Sequence, residues 1–340
     1  MMKRFAVAIL AACLLATSAS AQETDHGALR ERALKVLEAQ FSVFRDATKV
    51  LQTASTDYCD GSLSRDEYLV AFKDTWLAWA PLDSYQFGPI EQSGAVLSIN
   101  FWPDKKGFVG RGLRNLLSLP PERQSDPQTV AAGSAAAQGF PAIEMLMFTD
   151  IKECPAIVGI SGHMNAVAEQ LLLDWFDEGG WADLARNAGP DNPVYLTEVE
   201  FTKVLYTAID FGLTRIADTR LGRPLGSFDR PFPKRAEAWR SGLSLDIIHA
   251  QLDGIETLLH RGFGPAVFNP SMSWVRKVIA DTHKRIDLIA APLDQAVQQP
   301  QMRIRVEAAQ TKVRYLQLQF DEDIGPGLGV ETGFSAADGD

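Results

Sequence analysis

"ALRERALKVLEAQFSVFRDATKVLQTA" occupies residues 28–54. Leu34, Val36, Leu37, Phe41, Val43 and Phe44 recur in it at helical spacing, with charged residues between them. That period gathers the apolar side chains into one stripe, which a stable helix must bury against other elements. "SRDEYLVAFKDTWLAWAPLDSYQFG" (64–88) has Ser64 and Glu67 in capping-box spacing. It predicts a helix through Trp76 and Trp79 to about Phe87, despite Pro81. Further helices are predicted over about 128–148, 155–177, 197–221, 243–261, 272–290 and 302–320. Alternating β-branched runs of useful length do not occur. The expected fold is all-α, built as two antiparallel helical bundles packed together.

The first lobe is expected over about 22–180 and the second over 190–320. The turn-rich "EGGWADLARNAGPDNPVY" (178–195) lies at the boundary. Each half has long helices joined by a Pro/Gly-rich loop, "FWPDKKG" (101–107) in the first and "GRPLGSFDRPFP" (222–233) in the second, which hints at internal duplication. The tail, 321–340, carries five glycines and one proline and is predicted to be non-helical. Its Ile324, Leu328, Val330 and Phe334 predict that it packs back on the bundle.

The N-terminus differs from the rest. Lys3 and Arg4 precede an apolar run from Phe5 to Ala16, and Ala19, Ser20 and Ala21 follow. This is the pattern of a secretory signal peptide over residues 1–21, cleaved after Ala21. "LAAC" (10–13) would make Cys13 a lipid anchor, but the apolar stretch before it is short and continues beyond it, so the soluble product is preferred. Later segments lack 18 consecutive apolar residues, so no membrane span is expected. Cleavage would remove Lys3 and Arg4, taking the net charge of −10 to −12. Such a surface repels nucleic acid and anionic lipid. Cys59 and Cys154 then remain; in an exported chain they are expected to pair, the alternative being two free buried thiols.

"QGFPAIEMLMF" (138–148) places Glu144 among apolar residues with Pro141 one turn earlier. Read within a helix over 128–148, Pro141 predicts a kink. Gly139 allows close approach of another chain, and Gln138 supplies an amide. A carboxylate in that setting either pairs with an arginine, for which Arg111 is a candidate, or ligates a cation. Asp104 in the loop is either a cleft group or the N-cap of the helix that follows. His249 and Asp253, four apart, have metal-binding spacing but read more readily as a surface hydrogen bond. The seven tryptophans read as core more readily than as stacking platforms. Neither G-x-S-x-G nor a Walker or dinucleotide glycine motif occurs.

"WLAWAPLDSYQFGPI", "FWPDKKG", "QGFPAIEMLMF", "AEAWRSGLSLDII" and "GPGLGVETGFSAADGD", in this order, resemble the imelysin-like family of bacterial periplasmic proteins, also called peptidase family M75. The resemblance covers essentially the whole chain after residue 21. It implies two helical bundles related by a pseudo-two-fold, a periplasmic location and a link to iron-regulated uptake. The family motif G-x-H-x-x-E, whose His and Glu are its metal ligands, aligns with Gly139, Pro141 and Glu144. Proline has no lone pair to give, so any metal site, for a divalent cation or iron, would rest on Glu144 alone. A zinc peptidase needs about three protein ligands and a bound water. The expected function is therefore a non-catalytic binding or accessory protein of iron- or haem-related uptake. Its cleft would use Gln138, Gly139, Glu144, Asp104 and Arg111. The alternatives are a subunit of an envelope protein complex and an M75-type metallopeptidase.

Overall fold

The computed structural model describes residues 24–150, 153–267 and 269–330. The signal-peptide and Cys13 expectations, and Phe334, lie outside them. The described residues form helices without strands; one isolated bridge joins Ser227 and Arg230.

The longest helix, α1 (His26–Asp60), starts where the Asp25 carboxylate accepts from the Ala28 N–H and stops at Gly61, whose φ of 87° is left-handed. Of the expected stripe, Leu34, Val36, Leu37, Phe41 and Phe44 are buried, together with Leu51, whereas Val43 points outward and is exposed. The first half continues with α2 (Arg65–Trp79), α3 (Phe108–Leu117), α4 (Phe140–Phe148) and α5 (Cys154–Phe176); α2 and α5 pack on α1, and α3 packs on α4. The second half contains α6 (Glu198–Thr214), α7 (Ser244–Thr257), α8 (Asn269–Asp287) and α9 (Pro300–Gln319). Helices α6, α7 and α9 each run on into a wider π-type turn, Arg215–Leu221, Leu258–Phe263 and Phe320–Ile324. The capping box at Ser64 and Glu67 forms in both directions. Among the described residues no helix is long and apolar enough to cross a membrane.

Three sequence expectations change. The helix expected over 128–148 is three pieces: Pro127–Ala131, a tight turn Ala135–Ala137, and α4. Pro141 therefore lies in the first turn of α4 rather than inside a longer helix, where its missing N–H would have no intrahelical partner anyway. There is no kink. The helix expected to reach Phe87 ends at Trp79, because Asp83 and Ser84 turn inward to buried polar partners. The tail expected to be non-helical forms a short helix, Gly325–Leu328, with Pro326 in its first turn and Gly329 (φ 68°) ending it. Packing overrides glycine propensity there. Phe320 stacks on Tyr206 at 4.2 Å, and Ile324, Leu328 and Val330 are buried.

Cys59, at the end of α1, is bonded to Cys154, at the start of α5, with Cα atoms 5.5 Å apart. Protein unfolded without reductant should accordingly show no thiol titrating at either position. A stoichiometric reaction of both with a thiol reagent before reduction would overturn the bond.

Candidate functional site

A cleft of about 670 Å³ opens where the loop 101–107 of the first half faces residues 223 and 234–240 of the second. Asp104, Pro141 and Glu144 line it. So do Trp76, Phe101, Trp102 and Trp239, which give it aromatic walls. Its cations are Lys105, Arg114, Arg223, Lys234, Arg235 and Arg240; its acids are Asp104, Glu144 and Glu237. In a chain of net charge −10, this is a locally basic surface.

The acids are spent on structure. Asp104 accepts from the N–H groups of Phe108 (2.8 Å) and Val109 (3.0 Å), capping α3. Glu237 is buried and takes Nε of Arg220 at 2.6 Å and the Asn100 amide at 2.6 Å. Glu144, 2% exposed, takes three hydrogen bonds on Oε1, from the Arg240 N–H (3.1 Å), the Ser241 N–H (2.9 Å) and the Ser241 hydroxyl (2.8 Å). Its Oε2 lies 3.5 Å from the Arg240 guanidinium. Burial pushes the Glu144 carboxyl above its ordinary range, against the downward pull of Ser241 and Arg240. Glu144 thus clamps α4 to the turn 238–243. Ala238 in that turn has φ 51°, a strained value for a residue with a Cβ.

Several cations, by contrast, are free of acids. Lys105, Arg114 and Arg223 make no ion pair or hydrogen bond through their side chains among the described residues. Arg223 is held below its ordinary range by burial, and further by repulsion from Arg215 and Arg235. Arg235 lies 3.9 Å over the Phe232 ring, and Arg240 and Lys234 lie 4.5 and 5.5 Å from the Trp239 centroid. An anion entering here would relieve the repulsion of Arg223 by Arg215 and Arg235.

Three expected cleft residues lie elsewhere. Gln138 turns away from the cleft, its amide donating to the carbonyls of Val130 (2.9 Å) and Ala131 (3.0 Å) at the end of a short helix. Gly139 is a crossing point: a Cβ there would lie 2.0 Å from the Ile99 carbonyl oxygen. Arg111 is not the partner of Glu144. It donates to the Lys106 carbonyl at 2.6 Å and lies over Phe108, because its own loop is nearer than α4. Arg240 takes the pairing instead. The cationic wall was missed by sequence reasoning, although a signal existed: residues 222–240 hold five basic side chains against two acidic ones.

The chain belongs to the imelysin family: the family model described as Imelysin, Peptidase_M75, matches residues 38–320. Among solved structures it resembles an imelysin-like protein from Psychrobacter arcticum 273-4, with a TM-score of 0.76 at 18% identity, over 92% of this chain and 99% of that one. It also resembles a protein named as an iron-regulated protein A precursor from Parabacteroides distasonis ATCC 8503, with a TM-score of 0.68 at 15% identity, over 89% and 97% of the two chains. No curated protein sequence matches it. The metal that the family motif implies does not fit the residues present. Pro141 offers no donor, and Glu144 already accepts three hydrogen bonds on one oxygen.

Proposed function

We propose that this protein is an exported, non-catalytic binding protein of bacterial iron acquisition, which takes an anionic iron complex or haem in the cleft. The observation carrying the reading is the set of cations without carboxylate partners on aromatic walls. Carboxylates of a ferric chelate or of haem would meet Arg223 and Arg235, and a flat ring would meet Trp102 or Trp239. Export to the periplasm rests on the pattern of residues 1–21. The iron link rests on the resemblance to an iron-regulated precursor. A metallopeptidase reading finds no ligand set at the family motif.

Titration of the full-length protein with haem and with ferric citrate, read by tryptophan fluorescence, tests this. Binding at roughly micromolar strength is expected, with Arg223→Glu weakening it about tenfold or more, equivalent to ~1.4 kcal/mol. Equal affinity in the variant, or no binding of either probe, would sink the proposal. A second reading, an accessory subunit docking an envelope protein, is favoured by one observation. An apolar groove of about 600 Å³ is lined by Val36, Val43, Leu77 and Pro81, and Val43 is 58% exposed.

A further inference from the structure

Helices α7 and α8 each carry a histidine followed four residues later by an aspartate: His249 with Asp253, and His283 with Asp287. The two motifs cross. His249 Nε2 lies 3.2 Å from Asp287 Oδ1, and His283 Nε2 lies 3.3 Å from Asp253 Oδ1. The two Nδ1 atoms are 2.6 Å apart. The ring centroids are 4.9 Å apart, and the ring planes differ by 11°. That centroid separation is the nitrogen separation plus one ring radius at each end. The rings therefore lie edge to edge, close to one plane, with Nδ1 facing Nδ1.

Proton counting then constrains the pair. A neutral imidazole carries one N–H. One proton fits between the Nδ1 atoms, so one ring donates there and the other accepts. The accepting ring keeps its proton on Nε2 and gives it to its aspartate. The donating ring is left with a bare Nε2 lone pair facing a carboxylate, and these repel unless a cation lies between them. The two ends differ. His283 Nε2 is buried and makes no hydrogen bond among the described residues. Beside it, donor atoms of His283, Asp253 and Glu256 all lie within 4.8 Å of one another. Glu256 also lies 3.3 Å from His260 Nε2.

We propose that His283, Asp253 and Glu256 bind one divalent transition-metal cation of the Zn²⁺ class, at a surface site separate from the cleft. One imidazole and two carboxylates suit such a cation, whereas Mg²⁺ and Ca²⁺ take oxygen donors. Asp253 is 68% exposed in its side chain, so solvent completes the coordination. His249 and Asp287 are positioning residues. The chain Asp287, His249, His283 fixes the tautomer that presents Nε2 of His283 to the metal.

Calorimetric titration of chelator-treated full-length protein with Zn²⁺, and separately with Ca²⁺ and Mg²⁺, tests the site. One Zn²⁺ at roughly micromolar or tighter affinity is expected, with neither Ca²⁺ nor Mg²⁺ competing. His283→Gln and Glu256→Gln should each weaken Zn²⁺ at least tenfold. His249→Gln and Asp287→Asn should weaken it about 10–100-fold. Glu144→Gln should leave it unchanged, which separates this site from the cleft. Should a histidine variant fold poorly by circular dichroism, the exposed Asp253→Asn serves in its place and should lose at least tenfold. No Zn²⁺ binding by the unmodified chain, unchanged affinity in these variants, or loss only with Glu144→Gln would each overturn the proposal.

Discussion

Replacing Arg220 with methionine should lower the unfolding free energy by about 3–5 kcal/mol and the melting temperature by roughly 5–15 °C. Arg220 is 1% exposed and sits in the π-type turn after α6. Its Nε donates to Glu237 Oε2 at 2.6 Å, Nη2 to Asp83 Oδ2 at 2.7 Å, and Nη1 to the Gln251 side-chain oxygen. Arg215 pairs with Asp83 as well. Two guanidinium groups thus balance two carboxylates in the interior. Methionine fills a comparable shape but removes one cation. Asp83, 0% exposed, keeps Arg215, but Glu237, 1% exposed, is left without a cationic partner. A buried charge without its counterion costs several kcal/mol, more than the intact pair contributes net.

The control is Arg220→Met with Glu237→Gln, which removes one charge of each sign and leaves Asp83 with Arg215. That double variant should recover part of the loss, so the cycle shows a coupling energy. Urea unfolding followed by circular dichroism measures all three. A loss below about 1 kcal/mol for the single variant, in the range of a surface ion pair, would show that the network does not hold the interior. Because Glu237 lines the cleft floor and Arg215 lies 5.6 Å from the Trp102 centroid, the same change should weaken ligand uptake.

Much of this architecture is local and was legible in the sequence. The stripe of α1, the capping box at Ser64, the cysteine pair and the all-α class depend on spacing within a segment or on two residues of a single type. The Arg220 network does not. Asp83 and Arg220 are 137 residues apart, and nothing in either neighbourhood specifies the other. The exchange of Arg111 for Arg240 has the same cause. Both arginines are plausible by type, and the packing of the second half against α4 chooses. Pro141 was misplaced for a different reason. Helical periodicity continues through residues 128–148, but Gly133 and Ser134 interrupt the chain, and a proline just after an interruption starts a helix instead of bending one. The tail shows tertiary packing overriding propensity, with three glycines in a short segment held by Tyr206, Phe320 and Ile324.

Glu144→Ala should cost about 2–4 kcal/mol, and Glu144→Gln less than about 1.5 kcal/mol. The reason lies in the donors rather than in the carboxylate's charge. Alanine strands the N–H groups of Arg240 and Ser241 and the Ser241 hydroxyl, and frees the Arg240 guanidinium. Glutamine keeps an oxygen where Oε1 sits, so the three donors keep an acceptor. The turn that loses its anchor contains Ala238 at positive φ, a conformation that persists only where surrounding contacts hold it. With alanine that turn should relax, and Trp239 and Arg240, which line the cleft, should move with it. Two readings of Glu144 then separate in one experiment. As a clamp, its alanine variant loses stability and weakens anion binding, while the affinity for free metal ions is unaffected. As a metal ligand, it would lose metal affinity with little change in stability, and glutamine would be nearly as damaging as alanine. Paired urea unfolding and metal titration on the two variants decide between them. Three donors on one oxygen, beside a proline that offers no ligand atom, favour the clamp.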